Sequence, residues 1–361
     1  MRFKEFHNEY TILPLGQRLK IKSGKSQKNI ECNNGKYKIY GTGGIIGFTN
    51  KYLYDKESVG IGRKGTIDKP FYFNEPFWTV DTLFYSEIKE NNVAKYIYYL
   101  FQTIPWKKYN TSTGVPSLTS SSIEAIEKGF PLKEEQYKIA TFLSFIDKRI
   151  QTQIKIIEDY KMLKKEIIER IFLTTDTSWT KCSFKDIFKE RKELHINDGT
   201  VVHATLSKEG IYPKTDRYDR DFLVKDENKK YKVSYLNDIC YNPANLKFGV
   251  ITRNSYGKCI ISPIYVTYTV KPGFNPKFIE LFVTRSAFLK EIRRYEQGTV
   301  YERMAVSSDD FLTYETRLPN VEVQNDIVNN IDILDKKITQ ELEYLELLAM
   351  QKDYLLSNMF I

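Results

Sequence analysis

Cysteine and histidine are scarce in this sequence, four and three residues among 361, and both are scattered. Cys32, Cys182, Cys240 and Cys259 form no C-x-x-C pair, and His7, His195 and His203 are isolated. These patterns argue against a disulfide framework or a metal site and fit a reducing cytoplasm. Long apolar runs are also missing: none approaches the roughly 18 residues that a membrane span needs, so no membrane partner is expected. The opening Met1-Arg2-Phe3-Lys4-Glu5-Phe6-His7 has charge with no apolar stretch behind it, unlike a secretory signal.

Basic residues are in excess. The net charge is +9, with 41% hydrophobic residues, enough for real cores in two or three domains. Residues 130–173 sum to +2 and residues 318–361 to −5, whereas 1–129 and 174–317 sum to +7 and +5. Two separate basic blocks suit a polyanion such as DNA, whose phosphates dominate affinity. A soluble protein merely rich in lysine is the other reading of the charge.

The chain repeats itself. Phe130-Pro131-Leu132-Lys133-Glu134-Glu135-Gln136 returns as Leu318-Pro319-Asn320-Val321-Glu322-Val323-Gln324, 188 positions later, and the alignment runs without a gap to the C-terminus. Pro131/Pro319, Glu134/Glu322, Gln136/Gln324, Ile139/Ile327, Asp147/Asp335, Lys148/Lys336, Ile150/Ile338 and Phe172/Phe360 are identical pairs. Apolar residues at Ile139, Leu143, Ile146, Ile150, Ile154, Ile157, Ile167 and Ile171 recur at Ile327, Ile331, Leu334, Ile338, Leu342, Leu345, Leu355 and Met359. Steps of three and four make a seam along a helix face. Neither stretch holds Gly or Pro after its opening proline, which is expected in the first helical turn. Some 36 residues at 1.5 Å each make a rod of roughly 50 Å. Two such helices pairing antiparallel would place the two basic blocks at opposite ends.

A weaker repeat precedes each helix. Trp106-Lys107-Lys108-Tyr109 leads to Ser112-Thr113-Gly114-Val115-Pro116-Ser117-Leu118, and Arg293-Arg294-Tyr295 leads to Gly298-Thr299-Val300-Tyr301-Glu302-Arg303-Met304. The blocks themselves read as mixed α+β. The first has strand-like runs at 36–40, 71–73, 77–80 and 82–85 and a helix from Val93 to Phe101. The second has runs at 238–241, 249–252 and 264–268 and one helix from Pro276 to Tyr295.

Three motifs fall short of a catalytic site. Gly60-Ile61-Gly62-Arg63-Lys64-Gly65 matches G-x-G-x-x-G, but Thr66-Ile67-Asp68-Lys69-Pro70 reads as extended chain where a dinucleotide fold needs a helix. A glycine turn presenting Arg63 and Lys64 to phosphate, or a plain hairpin, remains. Gly24-Lys25-Ser26 resembles the tail of a P-loop, with Leu19 in place of its first glycine. Asn74-Glu75-Pro76-Phe77 and Asn242-Pro243-Ala244-Asn245 each lack part of the N-P-P-[FY] loop of amino-methyltransferases. No catalytic residue, cofactor or metal is therefore assigned.

Tyr40-Gly41-Thr42-Gly43-Gly44, Ile61-Gly62-Arg63-Lys64-Gly65-Thr66, Trp78-Thr79-Val80-Asp81-Thr82, Gly114-Val115-Pro116-Ser117-Leu118 and the two [FL]-P-x-x-E-x-Q openings resemble the specificity subunit of type I restriction–modification systems. The likeness covers essentially the whole chain. It implies two target-recognition domains (1–129 and 176–317), and two helices (130–175 and 318–361) that form an antiparallel coiled coil with a pseudo-twofold repeat. These helices would act as a ruler and dock methyltransferase subunits, two of them, with nuclease or translocase subunits joining in some assemblies. The second block departs from the pattern, with Val300-Tyr301-Glu302-Arg303-Met304 where the first has Gly-Val-Pro-Ser-Leu.

The expected DNA contacts are Tyr40, Thr42, Arg63, Lys64, Lys107, Lys108 and Ser112 in the first block, and Asn245, Lys247, Arg253, Arg294, Tyr301 and Arg303 in the second. Lys107, Lys108 and Arg294 suit phosphate; Arg63, Tyr301 and Arg303 suit bases. Glu134, Gln136 and Asp147, with Glu322, Gln324 and Asp335, are the expected partner-facing residues. The competing readings are a DNA methyltransferase or nuclease with an unrecognised active site, and a coiled-coil adaptor whose basic blocks meet protein.

Overall fold

A computed structural model describes residues 2–173, 178–214, 229–298 and 304–360. The chain divides into two compact units, Met1–Ile156 with Glu341–Ile361, and Ile157–Gln340. Both divisions fall inside long helices. Each unit thus takes one block, the first half of the helix that follows that block, and the end of the other helix.

In unit 1 the helices are α1 (Ala94–Thr103), α2 (Ser120–Glu124) and the first half of α3 (Lys133–Leu173). A four-stranded antiparallel sheet runs in the order Leu19–Ser23, Leu83–Ile88, Ser58–Gly62, Phe71–Phe73. A three-stranded sheet places Tyr37–Gly41 between Gly44–Thr49 and Phe77–Thr79, the last pair parallel. Thr11–Pro14 pairs antiparallel with Glu127–Phe130 just before α3. Two glycines of the failed dinucleotide motif have packing reasons. A Cβ on Gly60 would lie 2.7 Å from the Phe73 ring, and one on Gly62 would lie 2.0 Å from the Thr66 carbonyl oxygen. No helix follows Gly65.

Unit 2 holds α4 (Phe184–Ile187), α5 (Pro276–Val283), α6 (Ser286–Glu291), α7 (Ser308–Leu312) and the first half of α8 (Val321–Met359). Its four-stranded sheet runs Phe188–Glu190, Val266–Val270, Ile239–Tyr241, Ile251–Arg253, and a second sheet joins Leu194–Ile196, Lys230–Ser234 and Cys259–Ile261. Thr180–Ser183 pairs with Glu315–Leu318 just before α8. The expected single helix over 276–295 is broken into α5, α6 and a 3-10 turn, Ile292–Tyr295. The Thr284 hydroxyl donates to the Glu280 carbonyl at 2.7 Å, and Glu169 takes the Ser286 N–H at 2.7 Å, so Arg285 leaves the helix in an extended conformation.

The repeat extends beyond the long helices. Residues 120–124 and 308–312, 188 apart, form α2 and α7, and each starts on a hydroxyl cap, Thr119 or Ser307. Tyr96 of α1 packs on Phe360 with ring centres 5.2 Å apart, and Phe278 of α5 packs on Phe172 at 5.2 Å. The identical pair Phe172/Phe360 therefore plugs the end of each long helix into a core: Phe360 in unit 1, Phe172 in unit 2.

The helices pair antiparallel. In unit 1, Asp147 meets Lys352 at 2.8 Å, Arg149 meets Tyr344, and the Gln153 amide donates to the Glu341 carbonyl at 3.0 Å. In unit 2, Lys164 pairs with Asp335, the same two sites of the repeat with their helices exchanged. The apolar seam is interrupted midway. Ile154 and Leu342, both expected inside it, are exposed, while Gln153 is buried. An apolar step of four residues drifts around a 3.6-residue helix, and at this point it has left the contact face. The prolines stand two residues before the helices rather than in their first turns.

Candidate nucleic-acid interface

In unit 1 the backbone ties five sequence-distant segments into one loop cluster. The N–H groups of Arg63 and Lys64 donate to the Thr82 carbonyl at 2.7 and 3.2 Å. Gly65 N–H reaches the Pro116 carbonyl at 2.9 Å, and Leu118 N–H reaches Arg63 at 2.9 Å. Thr42 Oγ1 lies 3.7 Å from the position a Cβ on Gly65 would take, and Gly65 itself has φ +89°, which favours glycine. Lys25 N–H donates to Thr79 at 2.9 Å, and the Trp78 indole donates back to Lys25 at 2.8 Å. Asn110 organises the last segment: its Oδ1 accepts the Ser112 and Ser117 N–H groups at 3.1 and 2.9 Å.

Lys64 and Ser112 are thus brought to one cluster beside Thr42 and Arg63, with Arg63 also donating to the Asp81 carbonyl at 3.3 Å. Lys107 and Lys108 are exposed on the 3-10 turn Trp106–Tyr109, whose buried Trp106 donates to Phe101 at 2.8 Å. Lys107 also meets Asp68 at 3.2 Å. Tyr40 does not stand out as a reader. Its half-buried ring packs edge-on against Phe73 at 4.9 Å, and burial pushes its phenol above the ordinary value. Lys25 and Asn110 were missed. Lys25 sits in the Gly-Lys-Ser that resembles a P-loop tail, and only the contact with Thr79 shows where it belongs.

Unit 2 repeats the arrangement with different residues. The 3-10 turn Ile292–Tyr295 carries exposed Arg293 and Arg294. Gln297 and Ala305 exchange backbone hydrogen bonds at 2.9 and 3.0 Å. In unit 1, Thr111 N–H donates to the Ser117 carbonyl at 2.9 Å and closes the loop 112–116. Tyr301 and Arg303 lie outside the described residues. The turn Pro243–Phe248, capped by Asn242 on the Ala244 N–H at 3.1 Å, carries exposed Asn245 and half-buried Lys247. It joins the loop base where Val306 N–H reaches the Pro243 carbonyl at 3.2 Å. Lys247 faces Glu296 at 3.8 Å.

Arg253 is a correction. Its guanidinium pairs with Glu280 of α5 at 3.0 Å and donates to Asn237 at 2.8 Å. Glu280 also accepts the Arg253 N–H, so this side chain locks a strand to a helix rather than facing a ligand.

Residues 8–159 match the family model described as type I restriction modification DNA specificity domain. The MjaIX specificity subunit of a type I restriction enzyme from Methanocaldococcus jannaschii is 34% identical over 71% of this chain. A Mycoplasma pneumoniae protein named as a type I specificity subunit is 23% identical over 98% of this chain and 96% of its own length. The chain is similar to type I restriction–modification specificity subunits. The match to the MjaIX subunit takes in 51% of that protein, so the chain spans about half the length of that relative.

Solved structures share the fold of this chain. An S subunit from M. genitalium matches over 100% of this chain and 99% of its own at a TM-score of 0.55 and 15% identity. A chain from a structure of type I R-M complex assembly and conformational transition covers 98% of each at 0.62 and 9% identity.

The expected partner-facing residues of the chain divide in two. Glu134 and Glu322 are exposed in the first turns of α3 and α8. Gln136 and Gln324 are corrections: both are fully buried. The Gln136 carbonyl oxygen accepts the Val93 N–H at the start of α1 at 3.0 Å, and its amide donates to Pro131 at 3.0 Å. Gln324 does the same for Asn275 at the start of α5 at 2.8 Å, and for Pro319 at 2.8 Å. Asp147 accepts the Tyr99 hydroxyl at 2.7 Å besides pairing with Lys352, and Asp335 pairs with Lys277 at 3.2 Å besides Lys164. These four therefore serve as internal staples between each block and its helices. No helix of the described residues is long and apolar enough to cross a membrane, and no group of metal ligands was found among them.

Proposed function

We propose that this chain reads a bipartite, asymmetric DNA target, one half-site per unit, and directs methyltransferase subunits to it in the cytoplasm without catalysing a reaction itself. The observation that carries this reading is the twice-built loop cluster. Each unit presents a 3-10 turn with two exposed basic residues, followed by a backbone hydrogen-bonded closure, Thr111 to Ser117 in unit 1 and Gln297 with Ala305 in unit 2. The turns hold Lys107/Lys108 and Arg293/Arg294, suited to phosphates, which position a protein without reading sequence. The loops differ in sequence, which suits different bases. Arg63 in the first unit and Arg303 in the second are the proposed base readers, because an Arg fork matches the O6/N7 edge of guanine.

The helices α3 and α8 run through both units, and their length sets the number of unread base pairs between half-sites. Glu134 and Glu322 mark the two methyltransferase docking faces. At the first, exposed Tyr137 and Phe145 flank a groove of about 390 Å³ with Phe3 and Phe142. A nuclease or translocase subunit joins the same assembly. The test is to co-express the chain with its methyltransferase partner and map methylated adenines genome-wide. A split asymmetric motif is expected; an unsplit motif, or methyl transfer by the purified chain without a partner, overturns the reading.

A further inference from the structure

Unit 2 holds a cationic crevice of about 220 Å³ between α3 and the α5–α6 junction. Lys161, Lys164 and Lys165 line one side, and Thr284, Arg285 and Ser286 the other. Arg285 is 9% exposed. Its guanidinium lies 4.2 Å from the Phe172 ring centre and 4.3 Å from that of Phe282, packed against both rings, which meet edge to face at 5.3 Å. Its Nε donates to the Phe282 carbonyl at 3.1 Å. Burial pushes it below the ordinary guanidinium value, while Tyr314 and the carboxylates of Glu169 and Glu291 act against that shift; neither carboxylate forms an ion pair with it among the described residues. Glu169 also lines the crevice, but one of its oxygens is occupied by the Ser286 N–H. Lys164 is balanced by Asp335. Lys161 and Lys165 are exposed and form no ion pair among the described residues.

The internal repeat supplies a control. Unit 1 has the matching crevice, of about 370 Å³, lined by Gln102, Thr103, Lys128, Asp353, Leu356, Ser357 and Phe360. Asp353 stands where unit 2 has Lys165, Ser357 where it has Glu169, and Thr103 where it has Arg285. The fold therefore builds this crevice without a buried guanidinium; its one cation in unit 1 is the half-buried Lys128, set against Asp353 in the same lining. Burying a guanidinium is costly, and unit 1 fills the same place with uncharged Thr103. Arg285 stands in an extended conformation between α5 and α6, as Ile104 does just after α1.

We propose that the Arg285 crevice of unit 2 binds a phosphate group. A guanidinium fork held rigid by two rings, with two ammonium groups across a narrow gap, matches the oxygens of a phosphate. Removal from water strengthens each contact. Two sources supply this chemistry: a phosphodiester of bound DNA, or a small free phosphate compound. The first rests on the DNA reading above; the crevice itself does not.

The test uses the full-length chain, the Lys161→Glu/Lys165→Glu pair, Arg285→Gln and Arg285→Lys. The paired lysines are exposed, so that variant folds even if Arg285→Gln does not. Duplex binding is followed against salt, and melting is followed with millimolar inorganic phosphate against chloride at equal ionic strength. If DNA supplies the phosphate, the lysine pair variant binds the duplex about tenfold more weakly, and its salt slope drops by about two. If a free phosphate fills the crevice, inorganic phosphate raises the melting temperature of the wild type and Arg285→Lys. It does not raise that of Arg285→Gln or the lysine pair variant, and the duplex slope is unchanged. Identical slopes and identical phosphate response in the wild type and the lysine pair variant overturn the proposal. A wild type that binds no duplex removes the DNA reading, while the melting arm still decides the crevice.

Discussion

Gln136 and Gln324 recur for a reason that lies inside the fold. Each bridges the backbone at the start of a domain helix to the proline before its own long helix, while fully buried. Alanine at either site strands a buried N–H and a carbonyl, at a cost of about 1–3 kcal/mol for each unsatisfied group. Glu134→Ala, on the exposed turn beside it, should change stability by less than about 0.5 kcal/mol. Urea unfolding of the three variants checks this, and equal losses would remove the distinction between staple and surface. The cysteines divide in the same way. Burial pushes the Cys240 thiol up to about 12 and that of Cys259 up to about 11. Between the ordinary thiol range and these values the folded chain keeps protons that the unfolded chain releases, so both sites lower stability as pH rises through that window. Iodoacetamide at pH 8 should label Cys32 in the native chain and leave Cys240 and Cys259 unmodified until denaturant is added. Mass spectrometry of the labelled peptides reads the outcome, and labelling of Cys240 in the native state would contradict its burial.

The long helices were the most legible elements, because a Gly- and Pro-free apolar repeat over 40 residues has few other solutions. The strands at 37–41, 71–73 and 77–79 were legible too, since short aromatic and β-branched runs end at glycine or asparagine turns. Two features escaped the pattern. The exchange of helix ends, with Phe172 in one core and Phe360 in the other, depends on which block each end meets, and periodicity carries no such information. The Arg253–Glu280 pair joins residues 27 positions apart, so a basic residue near an Asn-rich loop looked available when it was not. The helix pair also makes a sharp statement about spacing. Asp147–Lys352 and Lys164–Asp335 fix the register of the pair at two points. Removing four residues from α3 between Asp147 and Lys164 cannot satisfy both. The methylated motif of the assembled enzyme should then change its number of unread bases, with both half-sites intact. An unchanged spacer would show that the helices do not set it.

At the scale of the whole molecule, two basic blocks, beside an almost neutral helix and an acidic one, give each unit its own positive charge for the proposed DNA target. The loop clusters were partly legible: glycine turns and doubled basic residues pointed to Arg63, Lys64, Lys107, Lys108 and Arg294, which the structure places in the loops and 3-10 turns of the two units. Lys25 and Asn110 were not legible, because their role comes from hydrogen bonds to distant segments. Two substitutions in the assembled methyltransferase separate positioning from reading. Lys107 is exposed and held only by Asp68, so Lys107→Ala should weaken binding to every sequence alike and lower the salt slope by about one. Arg303, outside the described residues, lies in sequence between Gln297 and Ala305, whose backbones exchange hydrogen bonds. Arg303→Ala should therefore relax one base position in the second half-site, with a loss of discrimination of about 1–3 kcal/mol, and leave the first unchanged. Methylome sequencing of each variant gives both answers. Relaxation in both half-sites, or in neither, would mean that these loops do not divide the target between the two units.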